Sequence, residues 1–476
     1  MIEKHIREKL IDNLTYPPTS SQEKLFGLLT EFIVDRKKDE ALMITGYAGT
    51  GKTTAVKALI NTLYDFKINT VLMAPTGRAA KVLSSYTRKP AFTIHKKIYR
   101  QKSAKDGLGD FVLEKNLHHR TFFIVDEASM ISNQSFDMSV FGSGRLLDDL
   151  IEYVYQNASC KLILIGDTAQ LPPVKMDLSP ALNPGQLEGY GLTVKRSFLS
   201  DILRQTRESG ILYNATSIRK MIDQDESGYP KLAVSEFSDI DTVLGADLVE
   251  AISDAYDQYG IEETVIITRS NKRANQFNQG IRNQILWREE ELATGDYLMV
   301  VKNNYFWIDE QEQMDFIANG DIAEIVAIKG YQDLYGFHFA DLTLRFVDYD
   351  DQEMDVKVLL DTLYLNQASL TRAENKSLFY NILEDYQEVK TKKARYQKVR
   401  ENPFFNALQI KFAYTVTCHK AQGGQWKVVF LDHGYITDEM IDKAFYRWLY
   451  TAFTRATEKL YLVNFHKNFF PEENSF

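Results

Sequence analysis

The sequence predicts an α/β protein with two parallel sheets and a small β-barrel inserted in the second. Three observations carry this expectation. Short apolar runs at Ala41–Thr45, Val71–Ala74, Phe122–Val125, Leu162–Ile165, Val265–Thr268, Val428–Leu431 and Leu460–Val463 end at a turn or an acid. They are rich in β-branched residues and do not alternate, the pattern of strands buried on both faces of a parallel sheet. Helical patterns such as Thr53–Tyr64 and Gly142–Tyr155 lie between them, which calls for right-handed crossovers. The alternation runs over about residues 20–190 and starts again near Thr264. From Gly295 to Val358 the texture changes to short alternating segments with turns at Asn303-Asn304, Asn319-Gly320 and Tyr349-Asp350, which predicts the barrel.

A length of 476 residues suits about three structural units. With 44% hydrophobic and 25% charged residues the chain is neither disordered nor collagen-like. Lys+Arg 56 against Asp+Glu 65 gives a net charge of -9, which disfavours holding nucleic acid or membrane by bulk positive charge and leaves a local basic groove open. Cys160 and Cys418 are too few for a disulfide scaffold and lack metal-ligand spacing, so both are expected to be buried thiols in a reducing compartment. The first ten residues have no apolar core and the apolar runs are strand-sized, so neither a signal peptide nor a membrane span is expected. A cytoplasmic location follows as the expectation.

The first chemical signal is Gly46-Tyr-Ala-Gly-Thr-Gly-Lys-Thr53, which fits G-x-x-x-x-G-K-[ST] after a strand and at the start of a helix. Gly46, Gly49 and Gly51 let the backbone wrap close to phosphate oxygens. Successive N–H groups from Ala48, Thr50 and the helix start through Thr54 supply partial positive charge. Lys52 can reach the β and γ phosphates of ATP, and the Thr53 hydroxyl can ligate Mg²⁺. A chance glycine turn would lack the strand before it and the helix after it.

Asp126-Glu127 follows the run Phe122–Val125, the Walker B position, with Asp126 for the magnesium shell and Glu127 to polarise the attacking water. Gly166-Asp-Thr-Ala-Gln-Leu-Pro-Pro173 also stands at a strand end; the Gln170 amide both donates and accepts, which suits a sensor of the γ-phosphate or its water. Hydrolysis needs cations for the charge building on the γ-phosphate. Arg204, in Leu203-Arg-Gln205, and Arg455, in Tyr450-Thr-Ala-Phe-Thr-Arg455, are the candidates, against the ordinary alternative of surface charge.

After the barrel, Phe379, Ile382, Tyr386, Val389, Tyr396 and Val399 fit one helical stripe with a gap, which predicts a long helix. Its end carries Lys390, Lys392, Lys393, Arg395, Lys398 and Arg400. This suits either a solvated helix terminus or an arm facing nucleic acid.

These motifs together resemble superfamily 1 helicases of the RecD and phage Dda type, from Gln22 to about Val463. Pro75-Thr-Gly-Arg-Ala-Ala80 resembles motif Ia and Thr93-Ile-His95 the next DNA-contacting motif. Gly166–Pro173 has the GDxxQLPP form of motif III, Thr417-Cys-His-Lys-Ala-Gln-Gly423 the HKAQG form of motif V, and Leu449–Arg455 resembles motif VI. The resemblance implies two RecA-like motor domains, with a small β-hairpin insertion in the first and a Src-homology-like barrel in the second. It implies 5′→3′ translocation on single-stranded DNA, Mg-ATP hydrolysis and unwinding at duplex forks by a monomer. Gln22 would read adenine. Arg204 and Arg455 would meet the γ-phosphate from the second motor domain. Pro75, Thr76, Thr93, His95, Asn271, Thr417 and His419 would line the DNA track, each against the alternative of a local cap or turn. Residues 96–119 would form the pin that splits the duplex, with Phe111 either stacking on a base at the fork or packing the hairpin on its neighbours.

The expected division is 1–190 for the first motor domain, 191–294 with 405–476 for the second, and 295–404 for the inserted barrel and long helix. An RNA helicase of the same superfamily and a non-unwinding P-loop switch remain as rival expectations.

Overall fold

Strand Glu40–Gly46 is flanked in parallel by Lys161–Gly166 and Thr193–Leu199, with Ala41 opposite Leu162 and Glu40 opposite Thr193. The computed structural model describes residues 2–35, 37–101, 111–134, 142–201, 208–308, 316–347, 349 and 351–471. Among these, the first sheet has six strands, in the order Ala91–Thr93, Asn69–Ala74, Thr121–Val125, Lys161–Gly166, Glu40–Gly46, Thr193–Leu199. The central strands are buried along their whole length, as their unbroken apolar runs require. Helix Lys52–Asp65 lays Ala55, Val56, Leu59 and Leu63 against one face of this sheet. Helix Leu146–Tyr155 covers the other face with Leu147, Leu150, Ile151 and Val154. It starts later than the pattern from Gly142 suggested, because Gly142 and Gly144 both take positive φ in the preceding turn.

The second sheet runs Thr415–Thr417, Thr264–Thr268, Trp426–Asp432, Ala456–Val463, Ile240–Val243, again parallel. A closed barrel follows from Tyr297–Val300, Ile322–Leu334, Phe337–Phe346 and Gln352–Leu359, and Leu408–Phe412 closes it. The fold is thus α/β with a small closed five-strand barrel toward its C-terminal half. A fully buried carboxylate ties the barrel to the second sheet. Asp296 accepts from Arg288 at 2.6 Å and from the Tyr414 hydroxyl at 2.7 Å, and it lies 3.1 Å from Arg282 of helix Asn271–Gln284.

Pairing moves two of the expected boundaries. Thr193–Leu199 belongs to the first sheet, so the break after residue 190 falls too early. Leu408–Phe412 pairs with Tyr297–Val300 and with Gln352–Leu359, so the barrel extends past residue 404. The long helix is two helices, Arg372–Leu383 and Lys392–Arg400. The gap in the apolar stripe marks the break, where the Thr391 hydroxyl accepts from Ala394 N and starts a second helix. Phe379 then meets Tyr396 edge-on at 5.0 Å, folding the two helices on each other. Cys160 and Cys418 are buried free thiols, as expected. No helix among the described residues is long and apolar enough to cross a membrane.

Candidate nucleotide cleft and nucleic-acid interface

The turn after Glu40–Gly46 builds a concave loop of backbone amides. Gly49 and Gly51 take φ 74 and 78, a left-handed conformation that a side chain would strain. The Thr50 hydroxyl donates to Tyr47 O at 2.8 Å and braces the loop from inside. Lys52 turns back along the loop: its Nζ donates to Gly46 O at 2.7 Å and lies 3.4 Å from buried Asp167. Thr53 and Thr54 begin the helix, with Thr53 exposed at the mouth of the loop. Gln22 is buried beside it; its Oε1 accepts from Thr19 N at 2.9 Å in a capping box, and its Nε2 reaches Gly51 O at 3.5 Å.

The strand that ends at Asp126 is not the immediate neighbour of the P-loop strand. Lys161–Gly166 lies between them, which is why Asp167 stands between Lys52 and the acidic pair. Asp126 accepts from the Tyr86 hydroxyl at 2.7 Å and from Glu127 N at 2.9 Å. Burial and Asp126 raise the pKa of Tyr86, keeping it a donor. Glu127 has φ 52, rare for a glutamate and of the kind held at functional sites. Burial outweighs the opposing pull of Arg455 and raises its pKa, which suits a base for water. Gln170 is buried, and its Oε1 has no hydrogen-bond partner among the described residues. An amide acceptor left open in a cleft of phosphate-facing amides fits a site built for a further ligand. The Thr53 hydroxyl and the Asp126 carboxylate are hard oxygens of the kind a magnesium ion would take.

The second sheet closes this cleft from the far side. Helix Lys443–Phe453 sends Tyr450 into the loop, where Ala48 N donates to its hydroxyl at 2.7 Å and the hydroxyl donates to Asp167 Oδ2 at 2.6 Å. Burial first and Asp167 second hold the Tyr450 pKa well above its ordinary value. The Thr451 hydroxyl accepts from Leu171 N at 2.8 Å, and Gln422 Nε2 donates to Leu171 O at 2.6 Å. Arg455 is buried and donates to Thr451 O, Gly424 O and Thr454 Oγ1 at 3.0, 3.1 and 3.1 Å. Asp167, Tyr450 and Tyr86 were not singled out by the sequence analysis. The first two lie inside motif stretches it quoted; Tyr86 has no motif signal.

The DNA-track candidates fall into groups. Thr76 and His419, from the two sheets, line one cleft of about 240 Å³ with Asn319 and Lys420. Asn271 and Thr417 line an adjoining cleft that shares Lys420 and Met299. Pro75 leads out of strand Asn69–Ala74 into Thr76. The Thr76 hydroxyl accepts from Ala79 N and the Thr93 hydroxyl from Lys96 N, so both are helix caps. The Thr417 hydroxyl makes no cap bond.

Two candidates lie off this track. His95 packs against Tyr99 and against Phe316 of the inserted region, and burial lowers its pKa to about 4. Phe111 is 5% exposed, paired with Gln101 at the far end of the ladder Tyr99–Gln101 with Phe111–Leu113, 4.7 Å from the Tyr305 ring. It fills the packing role, and stacking on a fork base would require leaving that contact. Residues 102–110, where the turn of the pin is expected, and Arg204 lie outside the described residues.

A P-loop at the C-terminal end of an inner strand of one parallel sheet, faced by a buried arginine from a second, is an arrangement suited to binding a nucleoside triphosphate between two sheets. Residues 33–220 match the AAA domain family and residues 412–463 the UvrD-like helicase C-terminal domain family. The ATP-dependent DNA helicase dda of Enterobacteria phage T4 is 24% identical over 85% of this chain and 90% of its own length. The ATP-dependent RecD2 DNA helicase of Deinococcus radiodurans is 24% identical over 88% of this chain and 46% of its own. The uncharacterized protein MJ1519 of Methanocaldococcus jannaschii is 23% identical over 96% of this chain, which spans 40% of it. The crystal structure of a Pif1 helicase from Bacteroides with ADP-AlF3 and ssDNA is 16% identical over 96% of this chain and 95% of its own, at TM-score 0.48. Over most of its length the chain is thus similar to ATP-dependent DNA helicases of the RecD and Dda type.

Proposed function

We propose that this chain is an ATP-driven DNA helicase with two RecA-like motor domains, moving 5′→3′ along single-stranded DNA and separating duplex. The observation that carries the reading is the clasp across the cleft. Ala48, Asp167 and Leu171 on one side bond directly to Tyr450, Thr451 and Gln422 on the other. A phosphate held by the Ala48 amide must displace the Tyr450 hydroxyl, so nucleotide occupancy and the spacing of the two sheets are linked. The named activities of the phage T4 and Deinococcus relatives support DNA as the polymer.

In this reading Gln22 meets the adenine edge with the lone pair left on its Oε1. Lys52 leaves Gly46 O and Asp167 for the β and γ phosphates. Thr53 and Asp126 would hold magnesium, which supplies charge neutralisation along the phosphates when bound. Glu127 takes the proton from water, and Gln170 orients that water. Arg204 and Arg455 meet the charge that develops on the γ-phosphate. For Arg455 this means giving up its contacts to Thr451 and Gly424, so the arginine serves only in a rearranged cleft. Thr417, His419 and Asn271 grip the strand together with the backbone amides of the turn that Thr76 caps, and the hairpin rooted at Tyr99 and Leu113 parts the duplex.

Unwinding of 5′-tailed and 3′-tailed duplexes side by side tests this. The expected result is activity on the 5′ tail alone. Preference for the 3′ tail overturns the polarity. Equal stimulation of ATP hydrolysis by DNA and RNA of the same length overturns the polymer.

A further inference from the structure

The clefts along the second sheet follow the order of its strands. Thr417 and His419 stand at the C-terminal end of Thr415–Thr417, Asn271 just beyond Thr264–Thr268, and His433 to Tyr435 just beyond Trp426–Asp432. The third position opens into a cavity of about 400 Å³ lined by Arg269, Lys272, Arg273, His433 and Tyr435 among others. It is next to Asn271 in sequence, and adjacent strands are spaced by ~4.8 Å, so it lies roughly 10 Å from Thr417 along the same edge.

Its lining is cationic and aromatic. Arg273 is neutralised by Asp432 in a two-pronged pair at 2.9 and 3.0 Å. Arg269 and Lys272 are exposed and make no hydrogen bond or ion pair among the described residues. Arg269 is held 5.5 and 5.8 Å from the Phe445 and Trp448 ring centres. The neighbouring acid, Asp442, has its carboxylate on Phe445 N at 2.8 Å. Tyr435 is 85% exposed, the most open of the large apolar side chains described. The floor is His433, 6% exposed, whose Nδ1 donates to Gly434 O and whose Nε2 has no hydrogen-bond partner among the described residues. Unpaired cations beside an open phenol ring match a phosphate followed by an unstacked base.

We infer that this cavity is an outer subsite for single-stranded DNA, extending the track past Asn271, with Lys272 and Arg269 on phosphate and Tyr435 under a base. It rests on the DNA reading above and adds a grip that none of the motif stretches contains. Binding of labelled oligothymidylates of increasing length to the full chain tests it. Lys272→Ala and Tyr435→Ala, both at exposed positions, should each weaken binding of long strands by about tenfold and leave the shortest binding strand unaffected. Lys272→Ala should also make the slope of log affinity against log salt shallower by about 0.7. Unchanged affinity at every length, with tight wild-type binding, overturns the subsite alone. So does an equal loss at every length, which would place these residues on the inner track. Absence of strand binding by the wild-type chain removes both the subsite and the DNA reading beneath it.

Discussion

The candidate nucleotide cleft and the edge proposed to grip the strand use their side chains in opposite ways. In the cleft, polar groups from both sheets are bonded to one another: Lys52 sits by Asp167, Asp167 takes Tyr450, and Tyr450 takes Ala48. In the proposed function each of these bonds is exchanged when a nucleotide enters. Along the edge, the Thr76 and Thr93 hydroxyls each accept from the helix that they begin. A phosphate at either position would be met by backbone amides, with the threonine shaping the turn. Thr417 differs from both because its hydroxyl is not used as a cap. The same residue type is therefore structural at two places on the edge and available at a third.

The largest test of this contrast is Lys52→Ala, which should abolish DNA-stimulated ATP hydrolysis; normal stimulated turnover would refute the site. Arg455→Ala comes next, with turnover falling by about 10³-fold or more while nucleotide binding persists. Because Arg455 also bridges Thr451 and Gly424, its loss should lower the melting temperature, and Arg455→Lys should recover part of that without the turnover. Loss of nucleotide binding itself would make Arg455 purely structural. Tyr450→Phe should cost the nucleotide-free protein about 1–2 kcal/mol, and the cost should shrink at saturating nucleotide, where the hydroxyl is displaced in either protein. An equal penalty with and without nucleotide would show that Tyr450 never leaves the loop.

Smaller effects sharpen the edge. Thr76→Ala should cost about 1 kcal/mol of stability, whereas Thr417→Ala should weaken strand binding and leave unfolding unchanged; the reverse pattern would break the distinction. The smallest effect belongs to His95. Its folded pKa, about 4, lies below the ordinary 6.5. The neutral ring is thus favoured by folding, and its contribution is complete above pH 6.5. It is lost progressively as pH falls toward 4. Urea midpoints at pH 7.5 and 5 for the wild type and His95→Asn should show the difference; equal pH dependence would remove His95 from the packing.

The strands that the sequence makes plain are those buried on both faces, such as Lys161–Gly166. The strands it conceals are edge strands: Thr193–Leu199 shows partly exposed positions along most of its length, and Ala91–Thr93 is three residues long. Neither can carry an unbroken apolar run. The P-loop and the acidic pair are legible because phosphate chemistry demands fixed residue types at fixed spacing. Tyr450 and Tyr86 are not, since a tyrosine reads as core until a partner from another element is seen on its hydroxyl. Phe111 misleads for the same reason in reverse, since the residue that buries it, Tyr305, is far away in sequence.

Helix Gly77–Thr87 is an 11-residue rod, ~16 Å long. Thr76 stands at its start, in the cleft proposed to grip the strand, and Tyr86 near its end holds Asp126 at 2.7 Å. A rod conserves displacement. If a strand pulled at Thr76 slid it by about 1 Å along that bond, the Tyr86 hydroxyl would pass beyond hydrogen-bond reach of the carboxylate. Traction on the polymer and the readiness of the metal ligand are then two readings of the same mechanical part.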